Sequence, residues 1–476
     1  INNGSSRYKG TKREKKMETN KIKFLILDAY PNDNWRLVKD TAGGYGTGND
    51  FGNSLISKAM NFFVSKMISM PPMYALYIYS ILKKKGHSVE YTKKTDDQKL
   101  IDDADYIIMP SSIIAHETEK QIIEKLSKLK KKIFVIGIFA NVLKDKYRFE
   151  NSHVVIGEPE NFFLNLEYSK NNLDTFFNGD DTQKYHNKMV DNLDDLPFPD
   201  WEYYSKKYPL KNNFLDFNSK TAIPILASRG CPYSCFNYCT YPLQQGRKVR
   251  YRSIENIIDE IKYWKKNLNT NKFIFRDPVF SINRKFTEQL CKRIIEDKLD
   301  IVFLVETHLN NLDDELIKLL RKAGLKMVYV GVESYESDVL KDINRFTVSN
   351  DEQFNVIKKL EDNNIIVKSM FMFGSPTDTV KTIKNTIDYS KHLTNQLVQF
   401  SIFTPYPGTP MYKNYIDKIK ETKYENFNQY KLVYKHEIFD DSKIDDLKSY
   451  AYKQFYFRLK KLPIITKSFL SLFSLR

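Results

Sequence analysis

Three of the four cysteines in this chain lie within nine residues: Cys231, Cys235 and Cys239. The apolar run at 222–227 comes just before them and predicts a buried strand. Gly230 and Pro232 then interrupt regular structure, which places the cysteines on a loop at the end of that strand. Three thiolates on one short loop can converge on a metal centre, so this segment is where we expect chemistry.

Two kinds of metal centre compete for the cysteine triplet. Structural zinc takes four ligands, usually as two close pairs, whereas this loop offers one triplet and no histidine beside it. An iron–sulfur cluster takes one cysteine per iron, so a cubane held by three cysteines keeps its fourth iron open to another ligand. Three unrelated buried cysteines are the third interpretation, which tight clustering in a cysteine-poor chain disfavours.

The run Ser228–Tyr233, followed by Cys235, resembles the radical S-adenosylmethionine (SAM) superfamily, in particular the branch that also carries a cobalamin-binding domain. Members of that branch have C-x3-C-x2-C spacing, whereas this chain has C-x3-C-x3-C, an insertion of one residue that a loop can absorb. The resemblance implies that the three cysteines hold a 4Fe–4S cluster. It also implies that the chain reductively cleaves SAM to a 5′-deoxyadenosyl radical, which takes hydrogen from an unreactive carbon.

The second half of the chain alternates strands and helices six times, which predicts a partial (β/α)6 barrel of the TIM type. Active residues in such barrels lie at the C-terminal ends of the strands. Motifs similar to those of the same family recur there, among them 331–334 and 373–379. For Glu333, a salt-bridged structural carboxylate is the alternative interpretation. The resemblance implies SAM contacts from six residues: Tyr238, Arg276, Asp277, Glu333, Ser334 and Phe373.

The first half, from Ile22 to Gly157, also alternates strands and helices, which predicts a doubly wound parallel sheet with its ligand beyond the carboxyl ends of the strands. It resembles the cobalamin-binding domain of the same branch. Residues 28–30 lack the family's cobalt-binding histidine, and Ile138 stands where a second glycine is common, so a bulky side chain would obstruct the nucleotide tail of cobalamin. An empty sheet that caps the barrel is the alternative. The resemblance implies cobalamin contacts from five residues: Ser111, Ser112, Gly137, Gly157 and Glu158.

These patterns divide the chain into five segments: a disordered basic tail (1–16), a cobalamin-binding-like domain (17–165), a linker (166–218), the radical SAM core (219–415) and a C-terminal helical extension (416–476). Tyrosines and phenylalanines in the last segment predict helices that pack across the open barrel, with a membrane-surface tail as the alternative. The glycine-rich stretch 43–48 lacks the lysine of a phosphate-binding loop and is interpreted as a mobile loop over the ligand face.

Composition limits the choice of partner and compartment. The formal charge of +16 is compatible with nucleic acid binding, but the lysines are spread along the chain, which disfavours it. Four cysteines, three of them clustered, indicate a reducing compartment. We find no apolar segment resembling a signal peptide and no uninterrupted apolar run long enough to span a membrane. The expected location is the cytoplasm.

The expected function is that of an iron–sulfur enzyme that uses SAM and cobalamin to methylate or otherwise modify an unactivated carbon of a small-molecule or lipid substrate. The resemblance implies electron supply by a reductant such as flavodoxin or ferredoxin. Two alternatives stay open: a radical SAM enzyme that modifies RNA, and a degenerate, non-catalytic relative that binds a cluster or zinc.

Overall fold

The computed structural model of the chain describes residues 21–31, 38–48, 50–52, 57–58, 61–62, 68–69, 71–178, 187–208, 210–212 and 222–458. The predicted basic tail at 1–16, residues 179–186, 209 and 213–218 of the predicted linker, and residues 459–476 of the predicted C-terminal extension lie outside the described residues.

The first half forms a sheet of five parallel strands: β1 (Lys23–Leu27), β2 (Ser88–Thr92), β3 (Tyr106–Pro110), β4 (Lys132–Ile136) and β5 (Ser152–Val154). Their order across the sheet is β2-β1-β3-β4-β5. The strands are mostly buried, which explains why they are nearly continuous apolar runs. The predicted doubly wound sheet is confirmed.

Among the residues that the structure describes, seven named helices accompany this sheet or follow it: α1 (Met73–Lys84), α2 (Gln98–Asp103), α3 (His116–Lys128), α4 (Ile138–Val142), α5 (Pro159–Asn165), α6 (Lys170–Thr175) and α7 (Trp201–Lys207). Helix α1 begins after Pro72, whose fixed φ suits a helix start. It ends just before Gly86, which has a φ of +89° that favours glycine. Its first ten residues are all buried, so α1 belongs to the core on every side.

The second half forms a sheet of six parallel strands that neighbour one another in chain order: β6 (Ala222–Ile225), β7 (Lys272–Phe275), β8 (Val302–Thr307), β9 (Leu325–Glu333), β10 (Ile366–Phe373) and β11 (Leu397–Ile402). Within residues 222–458, nine helices belong to this half: α8 (Tyr241–Gln245), α9 (Ile254–Leu268), α10 (Arg284–Glu296), α11 (Asp314–Ala323), α12 (Ser337–Asp342), α13 (Asn350–Asp362), α14 (Val380–His392), α15 (Pro410–Asn414) and α16 (Asp441–Tyr456). The predicted partial barrel is confirmed.

Helix α16 covers the edge strand β11. The Tyr452 hydroxyl accepts a hydrogen bond from Phe400 N at 3.0 Å and donates to Phe400 O at 3.3 Å. Tyr456 makes the same pair of contacts with Val398, each at 3.2 Å. An exposed strand edge invites pairing with other chains, so these hydroxyls satisfy an edge that would otherwise be open. The prediction that aromatic helices pack on the open barrel is confirmed for this helix.

The glycine-rich stretch lies between the two halves. Gly43 has a φ of +55°, and a Cβ there would lie 2.6 Å from the Thr240 carbonyl carbon. The Thr240 hydroxyl donates to Ala42 O at 2.5 Å, and the Tyr45 hydroxyl donates to Pro407 O at 2.6 Å. The interpretation of this stretch as a mobile loop was wrong, because tertiary contacts from the barrel bury it.

A buried ion cluster attaches the same loop to the first sheet. The Lys39 ammonium lies 3.0 Å from Asp28 Oδ1 and 2.9 Å from Glu119 Oε1, and all three side chains are fully buried. Burial alone would lower the pKa of Lys39, but the two carboxylates outweigh it and raise that pKa. The lysine therefore stays charged inside the protein.

Replacing Lys39 with methionine is expected to lower the free energy of unfolding by about 3–5 kcal/mol, because two buried carboxylates lose their counter-ion. Urea denaturation measures the change. The control is Lys128→Met, which removes an exposed i,i+4 pair with Glu124 and should change stability by less than about 1 kcal/mol. Equal effects of the two substitutions would contradict the role of the ion cluster.

Among the described residues, no helix combines the length and the apolar character needed to cross a membrane.

Candidate functional site

The cysteine loop is fixed where it leaves β6. Both oxygens of Asp277, which follows β7, accept hydrogen bonds there: Oδ2 from Ala227 N at 3.0 Å, and Oδ1 from the Ser228 hydroxyl at 2.6 Å and from Ser228 N. These contacts give Asp277 a positioning role beneath the loop, and its predicted contact with SAM stays a prediction. Gly230 turns with a φ of +103°, and a Cβ there would collide with Lys248 O.

The three thiols lie together on this loop. Cys231 and Cys235 are 4% and 8% exposed, and Cys239 is partly buried. Cys239 N donates to Cys235 O at 2.9 Å, so the C-x3-C spacing closes a helical turn that places two thiols side by side. The Cys239 thiol donates a hydrogen bond to Cys235, which together with Arg345 lowers the pKa of Cys235 to about 7. Burial raises the pKa of Cys231 to about 11.

This donor set fits an iron–sulfur cluster better than a single metal ion. Within the described part of the chain, no three His, Cys, Asp or Glu side chains surround one point as ligands of one ion would. A cluster requires a wider arrangement, because each cysteine binds a different iron. The fourth cysteine, Cys291, is fully buried in α10. A closed zinc site needs four protein ligands, whereas this loop offers three thiols, the number that leaves one iron of a cubane cluster open.

An opposite-charge pair stands beside the cysteines. Glu333 ends β9 with a φ of +66°, at a register shift between β9 and β10. Its Oε1 lies 3.9 Å from the Arg345 guanidinium, which also donates to Gly331 O at 2.9 Å and to the Cys235 sulfur. Burial raises the pKa of Glu333, although Arg345 opposes the shift. Positive φ in a non-glycine residue is costly and concentrates at functional sites.

Gly331 makes room for this pair, since a Cβ there would lie 2.7 Å from Glu333 Oε1 and 2.8 Å from Arg345 Nη2. Sequence analysis missed Arg345, which follows α12 in no recognisable motif and reaches the site only through the fold. Only its position could have indicated a role: Arg345 follows the 331–334 motif closely and lies in a loop on the same side of the barrel.

The other residues predicted to contact SAM divide between the site and the packed interior. Tyr238 lies near Glu333 and Arg345. Burial raises the pKa of Tyr238, and of the two neighbouring charges Glu333 raises that pKa further while Arg345 opposes the shift. Ser334 is buried, where its hydroxyl shares a 3.2 Å hydrogen bond with Thr386. Phe373 is fully buried and stacks on Phe400 with ring centroids 5.2 Å apart. Arg276 turns to the first sheet and donates to Asp40 O at 3.1 Å. The structure thus groups Tyr238 and Glu333 with the cysteines and places Asp277 beneath the cysteine loop. The SAM contacts of Ser334, Phe373 and Arg276 stay predictions.

A row of polar side chains crosses the inner face of the barrel below this site. Glu306, Tyr329 and Lys368 are register neighbours on β8, β9 and β10. The Lys368 ammonium lies 4.8 Å from the centroid of the Tyr329 ring. Burial lowers the pKa of Lys368 to about 8, while Glu306 opposes the shift. The inner face is apolar one layer deeper, where it holds Ile274, Leu304 and Met327.

Lys368 is expected to make stability depend on pH. Its pKa of about 8 in the folded chain lies below the ordinary value, so the unfolded chain binds more protons between those values and wild-type stability rises with pH there. Lys368→Met removes this dependence. The free energy of unfolding of the Lys368→Met variant should exceed that of the wild type most below pH 8. This difference should shrink by about 1–3 kcal/mol as the pH rises to about 10.5. Urea denaturation across this pH range measures the difference, and Lys326→Met on β9 is the control. A difference in unfolding free energy between Lys368→Met and wild type that stayed constant with pH would contradict this role of Lys368.

The residues predicted to contact cobalamin fall into two groups. Ser111, Ser112 and Gly137 are at the ends of β3 and β4, where the two serines are fully buried and the Ser111 hydroxyl accepts from Ala140 N at 3.1 Å. Gly157 and Glu158 line a cleft between the first sheet and the barrel, and Gly137 lines the same cleft from the end of β4.

Buried charges line the barrel side of this cleft. Glu158 Oε1 lies 2.6 Å from Arg250 Nη2 and 3.4 Å from Arg229 Nη1. Arg229 also contacts Glu160 at 2.6 Å. These ion pairs join the first sheet to the start of the cysteine loop, so the cleft and the cysteine site share one framework.

Comparison with known families and proteins agrees with this architecture. A family model described as "Radical SAM superfamily" matches residues 225–390 of this chain. An uncharacterised methyltransferase of Pyrococcus horikoshii is 26% identical over 279 residues, 58% of each chain. The bacteriochlorophyllide d C-12(1)-methyltransferase of Chlorobaculum tepidum is 25% identical over 310 residues, 63% of this chain and 64% of the relative. The chain therefore spans less than two thirds of the length of these two relatives.

Two solved structures share the fold. The cobalamin-dependent radical SAM enzyme OxsB, with aqua-cobalamin and SAM bound, has a TM-score of 0.65 at 13% identity, covering 91% of this chain and 66% of that one. The radical SAM methyltransferase TsrM of Kitasatospora setae, with tryptophan and a SAM analogue bound, has a TM-score of 0.59 at 16% identity, covering 82% and 74%. Residues 225–390 of this chain are therefore similar to the radical SAM superfamily, and the chain shares the fold of these two solved enzymes.

Proposed function

We propose that this chain is a radical SAM enzyme whose Cys231, Cys235 and Cys239 hold a 4Fe–4S cluster. The observation that carries the proposal is the grouping of these thiols with Glu333 and Arg345 at the C-terminal ends of the barrel strands. When bound, such a cluster gives one electron to SAM, whose cleavage supplies a 5′-deoxyadenosyl radical able to take hydrogen from an unreactive carbon.

The charged pair has the chemistry to orient SAM. The Glu333 carboxylate suits the ammonium group of the methionine part, and the Arg345 guanidinium suits its carboxylate. Both side chains are mostly buried, with 16% of Glu333 and 9% of Arg345 exposed, and electrostatic contacts are stronger where water is excluded. Tyr238 offers an aromatic face nearby. In this arrangement the chain positions SAM and keeps solvent from the reacting atoms.

The proposed substrate is a small molecule, modified at an unactivated carbon inside the barrel. Names of relatives support this class, since one acts on bacteriochlorophyllide d and another is an anaerobic magnesium-protoporphyrin IX monomethyl ester cyclase of Cereibacter sphaeroides, 25% identical over 428 residues. The row of Glu306, Tyr329 and Lys368 would meet the polar part of the substrate, and the apolar layer beneath it would meet the rest.

Methyl transfer is the proposed modification, with cobalamin as the methyl carrier. The support is the shared fold with OxsB, which was solved with aqua-cobalamin bound, and the cleft between the sheet and the barrel is where we place the edge of the corrin ring. Gln244 and Glu158 line it, and so does Asn141, whose side-chain oxygen is buried without a hydrogen-bond partner. These three residues would hold the ring.

The proposed compartment is the cytoplasm, with flavodoxin or ferredoxin as the electron donor. The buried free thiols support a reducing environment, because disulfides form and persist in oxidising ones.

The test is anaerobic reconstitution with iron and sulfide, followed by dithionite, SAM and chromatography for 5′-deoxyadenosine. We expect 5′-deoxyadenosine to form, and to form without added cobalamin, because the cysteine loop alone holds the proposed cluster. A fully loaded cluster that cleaves no SAM would contradict the proposal and favour a degenerate relative.

A further inference from the structure

Two charged side chains on the inner face of the barrel have no partner of their own. Glu306 on β8 and Lys368 on β10 stand on either side of Tyr329, their register neighbour on β9. Within the described part of the chain, neither the carboxylate nor the ammonium has a hydrogen bond or an ion pair, and the two charges act on each other only at a distance. All three side chains are partly exposed, so they face open space inside the barrel.

The other charges near this pair already have partners. Arg276, which follows β7, donates to Asp40 O at 3.1 Å, and its Nε lies 3.7 Å from Asp40 Oδ2. Arg345 and Glu333 face each other at 3.9 Å beside the cysteines, where the proposed function uses them for SAM. The two unpaired charges of the row are therefore the ones that remain for the substrate.

Both unpaired charges are held where water compensates them poorly. Burial raises the pKa of Glu306 and lowers the pKa of Lys368 to about 8, so the charged form of each group is disfavoured. A charge removed from water costs free energy, which an opposite charge with good geometry recovers. A ligand with one charge would satisfy only one of the two side chains, whereas a ligand with a cationic and an anionic group would satisfy both.

The spacing of the pair suits two charged groups that lie close together in one molecule. Neighbouring strands lie about 4.8 Å apart, so β8 and β10, with β9 between them, place their backbones about 10 Å apart. The two side chains reach inward from these strands and leave a gap that is too wide for an ion pair. The Tyr329 ring lines this gap, 4.8 Å from the Lys368 ammonium. An α-amino acid carries its ammonium and carboxylate groups on a single carbon, which is small enough to bridge the gap.

We propose that the inside of the barrel binds the α-amino acid group of the substrate, with Glu306 accepting from its ammonium group and Lys368 donating to its carboxylate. This inference rests on the proposed function and names the substrate class of that site. Tyr329 and Glu333 are four residues apart on β9, about 13 Å at the rise of a strand. The amino acid group is therefore bound away from the cysteines, and the side chain of the substrate is the part that extends toward SAM.

The test uses the standard protein amino acids as probes, in equilibrium dialysis against the reconstituted full chain with SAM present. We expect at least one of them to bind with a dissociation constant below about 1 mM. For that amino acid, two analogues of similar size each remove one charge: the 2-hydroxy acid lacks the ammonium group, and the amide lacks the carboxylate. Each should bind about 10- to 100-fold more weakly, the value of a hydrogen bond between charged groups. Binding by none of the amino acids, or equal binding of the analogues, would overturn the inference.

Two variants assign each charge of the ligand to its residue. In Glu306→Gln, the amino acid and its 2-hydroxy acid should bind within about threefold of each other, while the amide should still bind weakly. Lys368→Met should show the reverse pattern, and Lys358→Met, which removes an exposed lysine on α13, should show the wild-type pattern. Circular dichroism checks that each variant is folded. If the 2-hydroxy acid kept its full loss of affinity in Glu306→Gln, the ammonium group would lie elsewhere and the inference would be wrong.

SAM cleavage measured on the same preparation separates this inference from the proposed function. Cleavage of SAM by a chain that binds no amino acid would overturn only the substrate class. A fully loaded cluster that cleaves no SAM would overturn the proposed function itself.

Discussion

Cys235→Ala is expected to abolish cluster assembly and with it all cleavage of SAM. Cys235 is the central thiol of the loop, since it accepts a hydrogen bond from Cys239, interacts with Arg345 and has its pKa lowered to about 7. The thiolate is the form that binds metal, so this cysteine is the best prepared ligand of the three. After reconstitution, iron and sulfide content should fall to background, and no 5′-deoxyadenosine should form.

Cys291→Ala is the matched control, because it removes a thiol of the same size from the same chain. Cys291 is buried in α10, and burial raises its pKa to about 12, which makes it a poor ligand. This variant should keep the iron content and SAM cleavage of the wild type. If Cys235→Ala kept its iron while Cys291→Ala lost it, the assignment of the cluster to the cysteine loop would be wrong.

Glu333→Ala is expected to weaken SAM binding by about 10- to 100-fold, the value of a hydrogen bond to a charged group. The cluster should persist, because Arg345 keeps its contacts with Gly331 O and the Cys235 sulfur. Isothermal titration of the reconstituted protein under anaerobic conditions measures the affinity, and iron and sulfide content reports on the cluster.

Two further variants isolate the charge of Glu333. Glu333→Gln keeps the shape and removes the charge, so it should resemble the alanine variant if the ammonium group of SAM is the partner. Asp338→Asn, whose carboxylate is almost fully exposed on α12, should leave the affinity unchanged. If Glu333→Gln bound SAM with the affinity of the wild type, Glu333 would be a structural ion-pair partner and not a contact of SAM.

The regular elements of this chain were predictable because their signals are local. Runs rich in apolar residues predicted β7 and β10 with their observed bounds, Lys272–Phe275 and Ile366–Phe373, and the helical period predicted α14, Val380–His392. Each run occupies a buried strand or one helix face, so its own sequence is enough to identify it.

The side-chain contacts of the site were harder to predict because they depend on tertiary structure. Asp277 was correctly placed at the end of β7, but its position in the sequence does not show that its carboxylate turns to the backbone of residues 227 and 228. Arg345 and Lys39 lie in loops with no motif, and each reaches its partners only when distant segments come together.

The additional residue before Cys239 shows the same limit in the cysteine loop. The spacing reads as a departure from the family pattern, while the structure shows a helical turn in which Cys239 N bonds to Cys235 O at 2.9 Å. Spacing alone does not distinguish a turn that brings two thiols together from a bulge that separates them.

The most direct test of the central claim is electron–nuclear double resonance of the reduced, reconstituted protein with SAM labelled with nitrogen-15 at its amino group. The account predicts a nitrogen-15 coupling to the cluster, because three cysteines leave one iron open for the amine and carboxylate of SAM. A reduced cubane without such coupling, at SAM concentrations that saturate binding, would show that no iron is open to SAM and would contradict the account.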